Sequence, residues 1–411
     1  MPASETCIIV GAGMAGGKAA LTLREEGFDG RVLLIGEEPD PPYERPPLSK
    51  EYLRGEVDRG AFAVADADDY AEEGIELLLG RRAERVEPGE RAVVLDGGER
   101  LRYDRLLLAT GAEPRRLPIP GAELDGVLLL RTVADSEALR GRLAASPRLV
   151  VIGAGWIGSE VAASARQMGA AVTVVEPRAV PLQHVVGEQV GAVFADLHRE
   201  HGVEMLLGEG VEAIEGAGRV ERVRTAGGRV LDCDLVLVGV GASPRTAPAE
   251  DAGLAVDNGI LVDEHLRTSA PDVFAAGDVA NAHHPLYGRR IRVEHWANAL
   301  EQGPAAARSM LGSQQPYDKL PFFFSDQYDT GLEYRGFATE WDRVVVRGDL
   351  GGREAIVFWV ADGRVVAAMN LNVWDVGEPI ERLLRARPVI DDRKLADPDV
   401  ELGALVAGAD R

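Results

Sequence analysis

The chain has 411 residues, 46% of them hydrophobic and 27% charged, the balance of an ordinary globular protein with material for two or three cores. A formal net charge of −22 opposes the phosphate backbone of nucleic acid, and no apolar run reaches the length of a membrane span. The opening MPASET has neither the basic region nor the apolar core of a secretory signal, so a cytoplasmic, unanchored protein is expected.

The first element, in ETCIIVGAGMAGGKAALTLREEGFDGRVLLIGEE, reads strand, tight turn, helix, strand. Gly11 turns the chain out of the strand, Gly13 lets the backbone approach a pyrophosphate, and Gly16 lets helix and strand close together. The helix start offers free N–H groups to the negative charge. Glu37 ends the next strand, where a carboxylate accepts hydrogen bonds from an adenosine ribose. YDRLLLATGAEPRRLPIPG follows as a strand ending in small residues and a proline-rich crossover.

About 140 residues after the first turn, RLVVIGAGWIGSEVAASARQMGAAVTVVEP repeats the same order. Gly153, Gly155 and Gly158 form its turn and Glu176 ends its second strand. A carboxylate there repels a 2′-phosphate and favours NADH over NADPH, with Arg178 two residues on as a softening influence. CDLVLVGVGASP closes this unit, and DVFAAGDVA follows at residues 272–280. The segment GRRIR, with Arg289, Arg290 and Arg292, reads as a solvated loop or as a local basic patch for an acidic protein partner. From residue 321 the texture changes to short alternating strands, FFFSDQY, DRVVVRGD, EAIVFWV and RVVAAMN, then a helix at ERLLRA: a separate α+β module. Phe322, Phe323 and Phe324 read as core residues rather than electron relays.

Two cysteines, Cys7 and Cys233, both fall in apolar runs that read as buried strands. No CxxC occurs, so no metal or iron–sulfur ligand set and no redox-active disulfide is expected. Two dinucleotide sites then call for a flavin in one, since two nicotinamides have nothing to exchange.

The ordered set IIVGAGMAGGKAA, PYERPPLSK, LLLATG, GAGWIGSE, GLAVDNGILVDEHLRTSAPDVFAAGDVA and RVEHWANALEQG resembles the FAD-dependent NADH:ferredoxin reductases. These are the reductase components of bacterial cytochrome P450 and ring-hydroxylating dioxygenase systems, and the likeness covers nearly the whole chain. It implies an α/β fold of two Rossmann-like domains, one for FAD (1–112 and 244–320) and one for NAD (113–243), plus a C-terminal α+β interface domain (321–411). Gly11, Gly13, Ala15 and Gly16 would meet the FAD pyrophosphate and Glu37 the ribose. Arg45 and Lys50 would lie along the cofactor, Lys50 near the flavin ring. Ala83, the Ala109–Thr110–Gly111 turn, Arg131, Gly277, Asp278 beside the ribityl chain, and Trp296 against the ring complete that set. On the NADH side the resemblance implies Gly153, Gly155, Ile157, Gly158, Glu160, Glu176 and Gly241. Without it, Lys50 reads as a surface lysine, Asp278 as a helix N-cap, Trp296 as a core residue and Glu160 as a helix-surface acid.

The implied activity is electron transfer from NADH through FAD to a [2Fe–2S] ferredoxin that serves a P450 or dioxygenase, in a monomer or homodimer with no nucleic-acid or membrane partner. No side-chain acid, base or nucleophile is required, so no catalytic residue is named. An NADH oxidase or rubredoxin reductase on the same scaffold remains the alternative. A disulfide or peroxide reductase lacks its cysteine, and a redox-controlled binding protein similar to apoptosis-inducing factor lacks a basic surface.

Overall fold

Apolar runs of four to six residues, ended by glycine, build two parallel sheets in the computed structural model, which describes residues 5–145 and 147–407. The chain divides into two compact units: residues 1–45, 58–113 and 242–321 form the first, and 46–57, 114–241 and 322–411 the second. The segment 46–57, with Lys50, belongs by packing to the second unit, as does Arg131.

In the first unit, strand Thr6–Val10 pairs in parallel with Arg31–Gly36 on one side and Arg105–Leu108 on the other. Ile75–Leu79 and Val273–Ala275 complete the five-stranded sheet as its edges. Burial on both faces explains why these strands are continuous runs of Val, Ile and Leu rather than alternating ones. Helix Met14–Glu25 packs against helix Trp296–Met310. Gly303 makes that contact possible: a Cβ there would lie 2.3 Å from the Ala15 carbonyl oxygen.

The second unit repeats the scheme. Strand Arg148–Ile152 lies between Ala171–Glu176 and Leu235–Val238, with Glu204–Leu207 and Val127–Leu128 at the edges, all in parallel. The same unit carries an antiparallel sheet in the order Phe322–Gln327, Thr330–Gly336, Arg364–Leu371, Glu354–Ala361, Arg343–Asp349. Helix Gly377–Ala386 lies against the middle of that sheet.

Two local expectations change. Cys233 is buried but sits in the break between strands Val230–Asp232 and Leu235–Val238, because Asp234 turns to hold Arg148 and interrupts what looks like one apolar run. The GRRIR segment is a strand, Arg289–Arg292, paired antiparallel to Ala280–His284 rather than a loop. There Arg290 donates to the Val262 and Asn281 carbonyls, and Arg292 is ion-paired with Glu294, which uses up much of the charge the sequence offers.

Candidate functional site

The first glycine turn is closed by backbone contact. Gly11 takes φ 117°, where a Cβ would lie 2.1 Å from the Ala109 carbonyl oxygen; at Gly16 it would lie 1.9 Å from the Gly11 oxygen. Gly13 differs, for a Cβ there meets nothing within 4 Å. The helix that Gly13 opens has no side-chain cap and no acid in its first turn, so its terminal N–H groups are left for an anion. A smooth turn, an open position and an uncapped helix start fit a pyrophosphate.

Around this turn the first unit gathers most of the residues expected for FAD. Gly277, at φ 78°, places its α-carbon beside Ala15, where a Cβ would approach the Ala15 Cβ to 3.1 Å; its N–H donates to Gln302 Oε1 at 2.9 Å. Asp278 follows in the short 3-10 turn Gly277–Val279, inside the turn rather than at its cap. Its carbonyl accepts from Arg292 at 3.1 Å, and its charge is felt by Arg45 and His295. Arg45 itself is ion-paired with Glu38 at 2.8 Å. Half-buried Trp296 begins the long helix, and burial pushes the Glu44 carboxyl up against the opposing pull of Lys18 and the indole.

Glu37 stands just beyond its strand, half-exposed, with Oε2 accepting from Arg245 Nη1 at 2.8 Å. Arg245, which sequence reasoning missed, also receives the Thr110 hydroxyl on its carbonyl at 2.7 Å and donates its N–H to the Gly111 carbonyl at 2.9 Å. It therefore ties the Ala109–Thr110–Gly111 turn to Glu37. Ala83 is buried at the start of strand Ala83–Glu87, in a small antiparallel sheet of the same unit.

The second turn is built alike. A Cβ on Gly153 would lie 2.5 Å from the Gly239 oxygen and one on Gly158 2.1 Å from the Gly153 oxygen, whereas on Gly155 its nearest neighbour is 4.0 Å away. Helix Trp156–Gln167 starts uncapped, with no acid in its first turn. Ile157 is 44% exposed beside that start. Gly241, at φ 101°, gives its carbonyl to the Arg115 N–H at 2.9 Å. Glu176 is buried; its two oxygens accept from the Ala154 N–H at 2.7 Å and the Arg178 N–H at 3.0 Å. Arg131 precedes helix Val133–Leu143, its N–H donating to the capping Asp135 at 3.0 Å.

Glu160 is no surface acid and Lys50 no surface lysine. Lys50 Nζ lies 2.9 Å from Glu160 Oε2, with 6% and 5% of the two side chains exposed. Ser49 donates to the same oxygen at 2.5 Å and Ser325 to Oε1 at 2.7 Å, while the Lys50 ammonium lies 5.7 Å over the Phe324 ring. Of the three phenylalanines, Phe323 is buried core, Phe322 carries Arg335 over its face, and Phe324 carries Lys50. Segment 46–57 is pinned here by the Ser164 hydroxyl on the Ser49 carbonyl at 2.7 Å and that of Ser136 on the Leu48 carbonyl at 2.8 Å.

No thiol serves either turn. Burial pushes both Cys7 and Cys233 up to about 12, where the thiolate is scarce at neutral pH. Among the described residues, no helix is long and apolar enough to cross a membrane.

Two uncapped glycine turns, each on its own parallel sheet, define a protein that holds two dinucleotides. The chain belongs to the pyridine nucleotide-disulphide oxidoreductase family, which it matches over residues 5–303, and residues 322–406 match the reductase C-terminal domain. It is an oxidoreductase that binds FAD and uses a nicotinamide dinucleotide as donor. It is 40% identical to the 5,5′-dehydrodivanillate O-demethylase ferredoxin reductase subunit of Sphingobium sp., covering 98% of each chain. The ferredoxin–NAD(+) reductase component of the anthranilate 1,2-dioxygenase system of Burkholderia cepacia is 41% identical, over 96% of this chain and 98% of that one. In three dimensions the chain is similar to the reductase in the crystal structure of the covalent putidaredoxin reductase–putidaredoxin complex, with a TM-score of 0.94, 37% identity and 99% of each chain covered.

Proposed function

We propose that the protein is a cytoplasmic NADH:ferredoxin reductase that passes electrons through FAD to a [2Fe–2S] ferredoxin serving a cytochrome P450 or a ring-hydroxylating oxygenase. FAD is held by residues 1–112 and 244–320, NADH by 113–243, and residues 321–411 form the interface module. The observation that carries the reading is the pair of open glycines, Gly13 and Gly155, each at an uncapped helix start with an acid at the end of the following strand. Two dinucleotide sites without an accessible thiol leave the cofactors to react with each other and with an external one-electron acceptor.

Bound FAD supplies the conversion from two-electron hydride acceptance to one-electron donation. The residues do the rest. Gly11, Ala15, Gly16 and Gly277 would shape the backbone around its diphosphate, Glu37 and Arg245 would hold the ribose end, and Asp278 would take the ribityl hydroxyls. Glu176 would accept from the NADH ribose, and Lys50, its ammonium held by Glu160, would lie near the flavin ring as the family resemblance implies.

The test is NADH-driven cytochrome c reduction by the yellow protein, with and without candidate [2Fe–2S] ferredoxins. A strong rise only with ferredoxin is expected. Equal rates in its absence would favour the NADH oxidase or rubredoxin reductase alternative.

A further inference from the structure

Strand Phe322–Gln327 alternates in burial so that Phe323, Ser325 and Gln327 share the inward face. Two polar side chains in a core need partners, and these two find them in a line. Ser325 Oγ donates to Glu160 Oε1 at 2.7 Å, and Gln327 Nε2 donates to Ser325 Oγ at 3.4 Å. The amide oxygen of Gln327 lies 3.0 Å from His198 Nε2, and His198 Nδ1 lies 3.4 Å from the Tyr328 hydroxyl.

The roles are fixed by elimination. An amide oxygen only accepts, so His198 Nε2 carries the hydrogen and Nδ1 is left to accept from Tyr328. The His201 ring stacks on Tyr328 with centroids 3.7 Å apart and planes 8° apart, which holds the phenol in place. Every donor along the line Tyr328, His198, Gln327, Ser325 therefore points the same way, and the line ends on the Glu160 carboxylate. Its other oxygen is taken by Lys50 and Ser49.

We infer that His198, Gln327 and Ser325 are positioning residues for the Lys50–Glu160 pair, a one-way hydrogen-bond chain that fixes the orientation of the Glu160 carboxylate and, through it, the charge of Lys50. This rests on the proposed reading that the pair faces the reacting rings. Aligned donors polarise one another in a low-dielectric interior, so the chain acts on Glu160 as a unit. Burial keeps His198 neutral by lowering it to about 4, which preserves its single-donor state at working pH. Without Ser325, Glu160 Oε1 loses the one side-chain donor it has among the described residues, and the group is free to rotate away from Lys50.

The test uses the FAD-loaded protein with two readouts, the midpoint potential of the bound flavin and the single-turnover rate at which NADH bleaches it. Gln327→Met keeps the volume but deletes two links, and Ser325→Ala deletes the last. Both should slow bleaching about fivefold and move the potential in the same direction as Lys50→Met, with the NADH Kd changed less than about twofold. Ser325→Thr should restore both values. Lys50→Met that leaves the potential unmoved removes the reading of where the pair sits. Lys50→Met that moves it, beside Gln327→Met and Ser325→Ala at wild-type potential and rate, overturns the chain alone. A lowered thermal midpoint with neither readout changed overturns it equally, since that is what simple packing loss would do.

Discussion

Removing one member of the Lys50–Glu160 pair should cost far more than removing both. At 2.9 Å and an effective dielectric constant of about 20, the two charges attract by about 6 kcal/mol. Several kcal/mol of desolvation for each buried ion takes back most of that, so the net worth of the pair is small. A single substitution lacks the compensation. Glu160→Gln leaves a buried ammonium, and the amide offers one acceptor where Glu160 receives donors on both oxygens. Lys50→Met leaves a buried carboxylate supported only by hydroxyls. Each should lose about 3–5 kcal/mol of stability, whereas the double variant Lys50→Met with Glu160→Gln should lose less than either single one. The assay is a double-mutant cycle in urea, on the holoprotein at a fixed excess of FAD, because bound cofactor adds to apparent stability. A double variant whose loss equals the sum of the singles would refute a coupled buried pair.

Three further outcomes follow from the geometry. Gly13→Ala should lower the stability of the FAD-free protein by no more than about 1 kcal/mol, the cost of a poorer N-cap, since a Cβ there meets nothing within 4 Å, yet weaken FAD uptake measured by flavin absorbance; undiminished FAD binding would mean the diphosphate lies elsewhere. Glu176→Arg should weaken NADH and improve NADPH use in steady-state kinetics, with the gain limited because the carboxylate also ties the Ala154 and Arg178 N–H groups; an unchanged preference would displace Glu176 from the ribose. Burial lowers His198 and His295 from 6.5 to about 4, so below pH 6.5 the unfolded chain binds protons that the folded one refuses. Their contribution is fully present above that pH and lost on descent to about 4, which amounts to about 1 kcal/mol each between pH 7 and pH 5.5. His198→Gln should flatten that slope in urea titrations at the two pH values, and an unaltered slope would contradict a buried neutral imidazole.

What could be read along the chain was local, and what could not was distant. The glycine turns were legible because Gly11 and Gly153 need positive φ and Gly16 and Gly158 need close approach, demands met within a few neighbouring residues. Glu37, just past its strand, and Glu176, the last residue of its own, stand where the strand ends were expected to put them. Apart from the family resemblance, which put both at the cofactors, Lys50 and Glu160 read as unremarkable surface residues, because Ser49 beside Lys50 meets Glu160 across 111 positions, a separation at which periodicity carries no information. Ser325 and Gln327 did leave a signal, since two polar residues on the inward face of an alternating strand must have buried partners. His198 left none: a single histidine in a long amphipathic helix is indistinguishable from a packed one. Cys233 was misplaced because an apolar run hides a break when the interrupting acid, Asp234, is satisfied by a basic residue far away at Arg148.

The two turns answer the same backbone problem but differ in how much chain surrounds them, and the difference matches the tenancy expected of each. Around Gly13 the first unit brings Ala109, the Gly277–Asp278 turn, the start of the Trp296 helix and the Glu37–Arg245 pair, from segments as far apart as residues 37 and 296. Each segment would add contacts that a departing ligand must break together, so slow dissociation is expected of a dinucleotide held there. Around Gly155 the second unit offers a turn with Ile157 44% exposed at its rim and an acid, Glu176, whose oxygens are already bonded to backbone. A ligand there must share an occupied acceptor, which suits one that leaves after every turnover. Replacing Arg245 with Ala should therefore speed FAD loss while leaving the NADH Kd unchanged, as measured by flavin release on dilution and by NADH titration; equal effects on both ligands would show that the first turn owes its grip to something other than this enclosure.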